Sequence, residues 1–180
     1  MFFIGRQTVR KILDWERSAT IQKNPDTGCI PTGYEFLLKM ARTEKIDFDS
    51  FQEDFDLIKK FNDSNAANFS SVAYEIKKVY PFINISILSY EKNEGQKKLN
   101  KIIELIDQGQ PVLISLCINE FSDQKGWHIM PVIGVMDDEL WLLTGNRTNG
   151  ISEQFHINFS KFVYIHENYP GGNDIAFLYN

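Results

Sequence analysis

The sequence predicts an α+β fold, in which N-terminal helices and a central helix that opens on a cysteine pack against a C-terminal antiparallel sheet. Three observations carry this. Helical periodicity dominates as far as Gln108, and alternating or continuous apolar runs dominate from Val112 onward. The run from Tyr34 to Ala41 is apolar on two stripes, the pattern of a helix buried on most sides. Turn-forming clusters at Asp137-Asp138-Glu139, Gly145 to Gly150 and Tyr169 to Asn173 punctuate the later runs.

The 180 residues suffice for one domain with a real core, expected to span 1–180. With 14 Phe, that core should be rich in aromatic rings. A formal net charge of −5 gives no electrostatic case for nucleic acid or an anionic membrane. No apolar run approaches the length of a membrane span. The start, Met1-Phe2-Phe3-Ile4-Gly5-Arg6, meets charge too soon for a signal peptide. Two cysteines make no disulfide framework, so a reducing cytoplasm is the expected compartment.

In chain order, residues 7–17 predict a short helix through Val9, Ile12, Leu13 and Trp15. Residues 18–28 are loop, marked by Asn24, Pro25, Asp26 and Gly28. Pro31 to Arg42 is the central helix, with Tyr34, Leu37, Leu38 and Ala41 at i, i+3, i+4, i+7. Asp49 to Phe61 predicts one helix with a Ser50/Glu53 capping box. Asn62 to Asn68 is loop, and Ser70 to Tyr80 is helix, ended by Pro81. Ile83, Ile85 and Ile87 alternate as a strand. Gly95 to Gln108 is amphipathic, its stripe being Leu99, Ile102, Ile103 and Ile106, and Gly109 with Pro111 stops it.

Val112 to Ile118 is continuous and apolar, a strand buried on both faces, with Cys117 as a small core residue inside it. Asn119 to Gly126 is loop. Trp127 to Met136 and Leu140 to Thr144 are strands joined by a hairpin tip at Asp137 and Asp138. Further strands are expected around Phe155, Ile157 and Phe159, over Phe162 to Ile165, and over Ile175 to Tyr179.

The chemistry centres on Thr27-Gly28-Cys29-Ile30-Pro31-Thr32-Gly33. A thiol at a helix N-terminus faces unpaired N–H groups and the positive end of the dipole, which favours the thiolate and is expected to lower the Cys29 pKa. Pro31 fits the first turn, where a missing N–H costs nothing. A cysteine nucleophile needs a base and a group to orient it. Of three histidines, His128 opens an apolar strand just after a polar loop, where a side chain is exposed on a rigid support. His156 and His166 read as surface or packing residues. Neither cysteines nor histidines have metal-ligand spacing, so no metal or cofactor is expected. Asn146 follows the strand that returns beside His128 and can fix its tautomer, or failing that a carbonyl at the end of the Leu140–Thr144 strand faces the ring. The Gln22 side chain and the Cys29 N–H could form an oxyanion hole.

These residues resemble the papain-like cysteine peptidases, most closely the bacteriocin-processing, double-glycine-leader peptidases and their standalone relatives. The resemblance rests on Gln22 before the cysteine, Cys29-Ile30-Pro31-Thr32, Gln108-Gly109-Gln110-Pro111-Val112-Leu113-Ile114-Ser115, and Trp127-His128-Ile129-Met130-Pro131-Val132-Ile133-Gly134-Val135 with its Asp-rich turn. It implies a papain-like fold with Cys29 as nucleophile, His128 as base, Asn146 as orienting residue and Gln22 in the oxyanion hole. The family's Gln lies six residues before the cysteine, where this chain has Lys23. Its Asp-Pro after the second strand is replaced here by Gly145-Asn146-Arg147. The implied activity is hydrolysis of a peptide or isopeptide bond in a peptide or protein substrate. Acyl transfer or amidase chemistry by the same dyad, and a papain-like binding module without turnover, are the alternatives.

Overall fold

The computed structural model describes residues 11–63, 67–119, 126–148 and 151–179, and of residues 146–148, 151 and 152 the backbone alone. Its strands are β1 (Lys11–Ile12), β2 (Ile85–Ser89), β3 (Val112–Cys117), β4 (Trp127–Met136), β5 (Glu139–Thr148), β6 (Ile151–Asn158) and β7 (Asp174–Leu178). They form one antiparallel sheet in the order β2-β7-β3-β4-β5-β6, and β1 adds to β4 at Gly134 and Val135. The helices are α1 (Cys29–Met40), α2 (Phe51–Asp54), α3 (Leu57–Phe61), α4 (Phe69–Val79), α5 (Gly95–Asp107) and α6 (Phe159–Asn168).

Alternation along β3 and β4 feeds two cores, because successive strand side chains point to opposite faces. Leu113, Ile129 and Ile133 join Tyr34, Phe36, Leu37 and Leu38 of α1 with residues of α2, α3 and α4. Ile114, Met130 and Val132 join Leu99, Ile102 and Ile106 of α5 with Phe162 and Ile165 of α6. Helices therefore cover both faces of the sheet. The Cys-bearing helix packs on the strand that carries His128, as expected, with Tyr34, Leu37 and Leu38 fully buried. Phe48, Phe51, Phe55 and Tyr80 stack in series at the edge of the first core, which is as aromatic as the composition foretells. The hairpin tip falls at Asp137 and Asp138, whose φ values of 52° and 64° are those of a two-residue turn matched to strand twist.

Five expectations are corrected. Lys11–Ile12 is strand and Glu16–Ser18 a 3-10 turn, not one helix; a side chain at position 134 would collide with Ile12, so glycine there admits the extra strand. The helix expected over Asp49 to Phe61 is broken in two, because the Asp56 side chain accepts from Lys59 N–H and starts α3 afresh. Ser50 bonds Asp54 instead of capping, and the capping box is at α4, between Asn68 and Ser71. Phe162 to Ile165 is helix, opened by the Asn158 side chain accepting from Lys161 N–H. Strand β5 also runs on through Asn146, where loop was expected. Residues 7–10, most of the 119–126 loop and residues 149–150 lie outside the described residues.

Candidate active site

The segment from Thr20 to Gly28 has no regular structure, so its place must come from side chains. Two buried polar residues supply it. Asp56 accepts from Asn24 Nδ2 at 2.8 Å and from Thr27 Oγ1 at 2.6 Å. Gln52 donates to the Ile21 carbonyl and to Glu35, and its Oε1 accepts from Lys23 N–H and Thr32 Oγ1. All four hydrogen-bonding positions of that buried amide are thereby used. They tie the loop to α1 and α2 from beneath.

Cys29 is the first residue of α1, after Gly28, which offers no side-chain cap. The N–H groups of Cys29 and Ile30 therefore turn to the sulfur, and the Ile129 N–H of β4 reaches it from the sheet. Despite them the thiol pKa is raised. Burial is the largest cause, and the Asp56 carboxylate adds to it. This corrects the expected lowering: desolvation of the thiolate outweighs the helix N-terminus. The residue is still only partly covered, so reagents can reach it.

His128 precedes Ile129, so the strand that touches the sulfur also carries this ring. Its Nε2 lies 2.7 Å from the Thr144 carbonyl of β5. A carbonyl only accepts, so Nε2 carries a proton and points it at that oxygen, which leaves Nδ1 as the ring nitrogen available to other partners. Gln22, Cys29, Thr32, Ile129, Thr144 and Gly145 are among the residues lining one narrow cleft. Phe36, Pro131 and Leu143 give it an apolar floor.

Gln22 thus enters the cleft, while Lys23 is turned out to Asp49 and Glu53. The one-residue offset leaves a glutamine, not a lysine, lining the cleft with the cysteine. Its Nε2, however, donates to the Asn24 and Pro25 carbonyls at 2.7 and 3.1 Å, so both amide hydrogens are engaged within the loop. Asn146 stands one residue beyond Gly145 in β5, and its side chain lies outside the described residues.

His156 stacks on Trp141 and His166 is buried with Nε2 at the Glu91 carbonyl; neither lines the cleft. Among the described residues no group of His, Cys, Asp and Glu could hold a metal ion, and no helix is long and apolar enough to cross a membrane. The Thr144 carbonyl is the expected substitute for Asn146 against the ring, whereas Gln52 and Asp56 were not expected at the site. Both sit in an amphipathic stretch whose signal is its apolar face and its Ser50/Glu53 spacing.

No family model and no curated protein matches this sequence. Solved structures do resemble it. One is the crystal structure of a Bacillus anthracis protein provisionally described as a C39-like peptidase. The two superpose with a TM-score of 0.58 over 96% of this chain and 98% of that one, at 16% sequence identity. The likeness is one of fold, helices packed on an antiparallel sheet.

Proposed function

We propose that residues 1–180 form one papain-like cysteine hydrolase domain that cleaves a peptide or isopeptide bond. The observation that carries the reading is the meeting of α1 and β4 at the Cys29 sulfur, one residue from a histidine whose other ring nitrogen is held by Thr144. In the resting site the raised thiol pKa favours a neutral thiol. His128 Nδ1 takes the thiol proton as the sulfur attacks the carbonyl carbon. The Cys29 N–H stabilises the oxyanion, joined by Gln22 once its amide swings from the Asn24 and Pro25 carbonyls. The proton passes from His128 to the leaving amine, a thioester remains on Cys29, and water activated by the same nitrogen releases the acid. Asn146 would share with the Thr144 carbonyl the orientation of the ring.

The test is incubation with a library of unstructured peptides, with products identified by mass spectrometry. Cleavage by wild type that vanishes in Cys29→Ala supports the reading. One observation favours the module without turnover: the engaged Gln22 amide beside a thiol that is not activated at rest. No cleavage, together with Cys29 alkylation no faster than a free thiol's, would establish that alternative.

A further inference from the structure

Lys98 of α5 is 1% exposed, yet it carries an amine. That amine lies over the Phe162 ring and donates its one hydrogen bond among the described residues to the Gly172 carbonyl. Gly172 and its neighbour Gly171 both have positive φ, 68° and 86°, and form the turn between α6 and β7. This turn lies flat against Trp127. A Cβ at Gly172 would fall 2.1 Å from Trp127 Cζ3, so nothing larger than glycine fits. Trp127 is followed directly by His128. A series of contacts therefore leads from a buried amine to Trp127, whose backbone continues directly into His128.

We propose that Lys98 is a positioning residue for His128, acting through the Gly171–Gly172 turn and the Trp127 indole. The inference rests on the reading of His128 as the general base. An unbranched apolar side chain would fill the same space without desolvating an amine. What such a residue cannot supply is a donor fixed on the Gly172 carbonyl. Burial pulls the Lys98 amine down to about 7, with the Asp174 carboxylate of β7 opposing it. His166 of α6 also feels Lys98 and is itself flanked by Glu94 and Glu167. Amine and ammonium both donate, so the contact survives titration.

The experiment compares Lys98→Met, Lys98→Gln and Gly172→Ala with wild type. NMR follows the Trp127 indole N–H and the His128 ring C–H, and iodoacetamide alkylation of Cys29 at pH 7 is timed per folded molecule. Lys98→Met and Gly172→Ala should each shift both resonances and slow alkylation about tenfold, the scale on which small misplacements act. The double variant should be no slower than the slower single, since both break one linkage. Lys98→Gln, which keeps a donor, should restore part of the rate. A merely structural lysine would change the melting temperature and leave the His128 resonance in place. That outcome overturns the proposal, as does strict additivity of Lys98→Met and Gly172→Ala. If Lys98→Met fails to fold, Lys98→Gln and Gly172→Ala decide alone. Should His128→Ala leave alkylation unchanged while Lys98→Met still moves the His128 resonance, the reading of His128 as base fails and the positioning role stands.

Discussion

Nε2 of His128 and the carbonyl oxygen of Thr144 lie 2.7 Å apart, which makes Nε2 the nitrogen that carries a proton. Nitrogen NMR should show Nε2 protonated and hydrogen-bonded. His128→Ala should lower peptide turnover roughly 10²–10⁴-fold, the range for a general acid–base group. Unchanged turnover would remove His128 from the mechanism.

The raised Cys29 pKa has a testable cause. Asp56→Asn keeps the size of the side chain and one of its two acceptor oxygens while deleting its charge. Removing that charge favours the thiolate, so the pH midpoint of Cys29 alkylation should move down. Burial should still hold it above the ordinary thiol value. Cys117, buried in the second core, should label only on unfolding. A midpoint that rises in Asp56→Asn would contradict this account.

Alkylation by iodoacetamide develops no oxyanion, whereas amide hydrolysis does. Gln22→Ala should therefore leave Cys29 alkylation nearly unchanged and slow peptide hydrolysis about 10²-fold. Equal effects on the two reactions would mean that Gln22 acts through loop structure alone.

Gln52→Ala removes four buried hydrogen bonds and leaves Thr32 Oγ1, Glu35 and two loop backbone groups to find others. Urea unfolding should show a loss of about 2–4 kcal/mol. Limited proteolysis should then cut within residues 20–28. Wild-type stability in this variant would show that the polar layer beneath the cleft contributes little.

Lys98 also fixes a slope of stability against pH. Its amine is near 7 in the fold and ordinarily 10.5, so between these values the unfolded chain holds more protons. Stability should therefore rise from pH 7 until tyrosines begin to ionise at about pH 10. His166, also lowered by burial, should give a loss of stability on acidification below its ordinary 6.5. Denaturant titrations of Lys98→Met should lack the alkaline rise and keep the acid limb.

The α+β architecture was legible because long periodic segments decide it, above all Pro31 to Arg42, Gly95 to Gln108 and Val112 to Ile118. Local misreadings had local causes. Phe155, Ile157 and Phe159 alternate up to the point where the Asn158 side chain opens a helix, so the period of two was carried too far. Asp56 was read as one polar residue of a single helix, although its carboxylate both caps α3 and anchors the loop. Lys98 stands four residues before Ile102, on the apolar stripe of its helix, a spacing that could have signalled its burial. The placement of a cysteine-led helix on the His128 strand was legible from residue type and pattern. The Thr144 carbonyl was legible only as the substitute for Asn146 at the end of the returning strand. The Ile129 N–H was not legible, because every residue but proline carries such a group and only the fold selects it.

The sheet order also bears on how the chain folds during synthesis. Strand β7 follows every other strand in sequence but lies between β2 and β3. Ser89 and Asp174 meet across 85 residues, and β2 pairs with no strand except β7 among those described. A nascent chain that has released β2 through β6 therefore carries β2 with both backbone edges open, an invitation to wrong pairing. The last strand closes the sheet, so growing chains should need protection from one another until Leu178 has left the ribosome. Chains stalled before Asp174 should remain protease-sensitive across α4 and β2, while those stalled beyond the C-terminus should not.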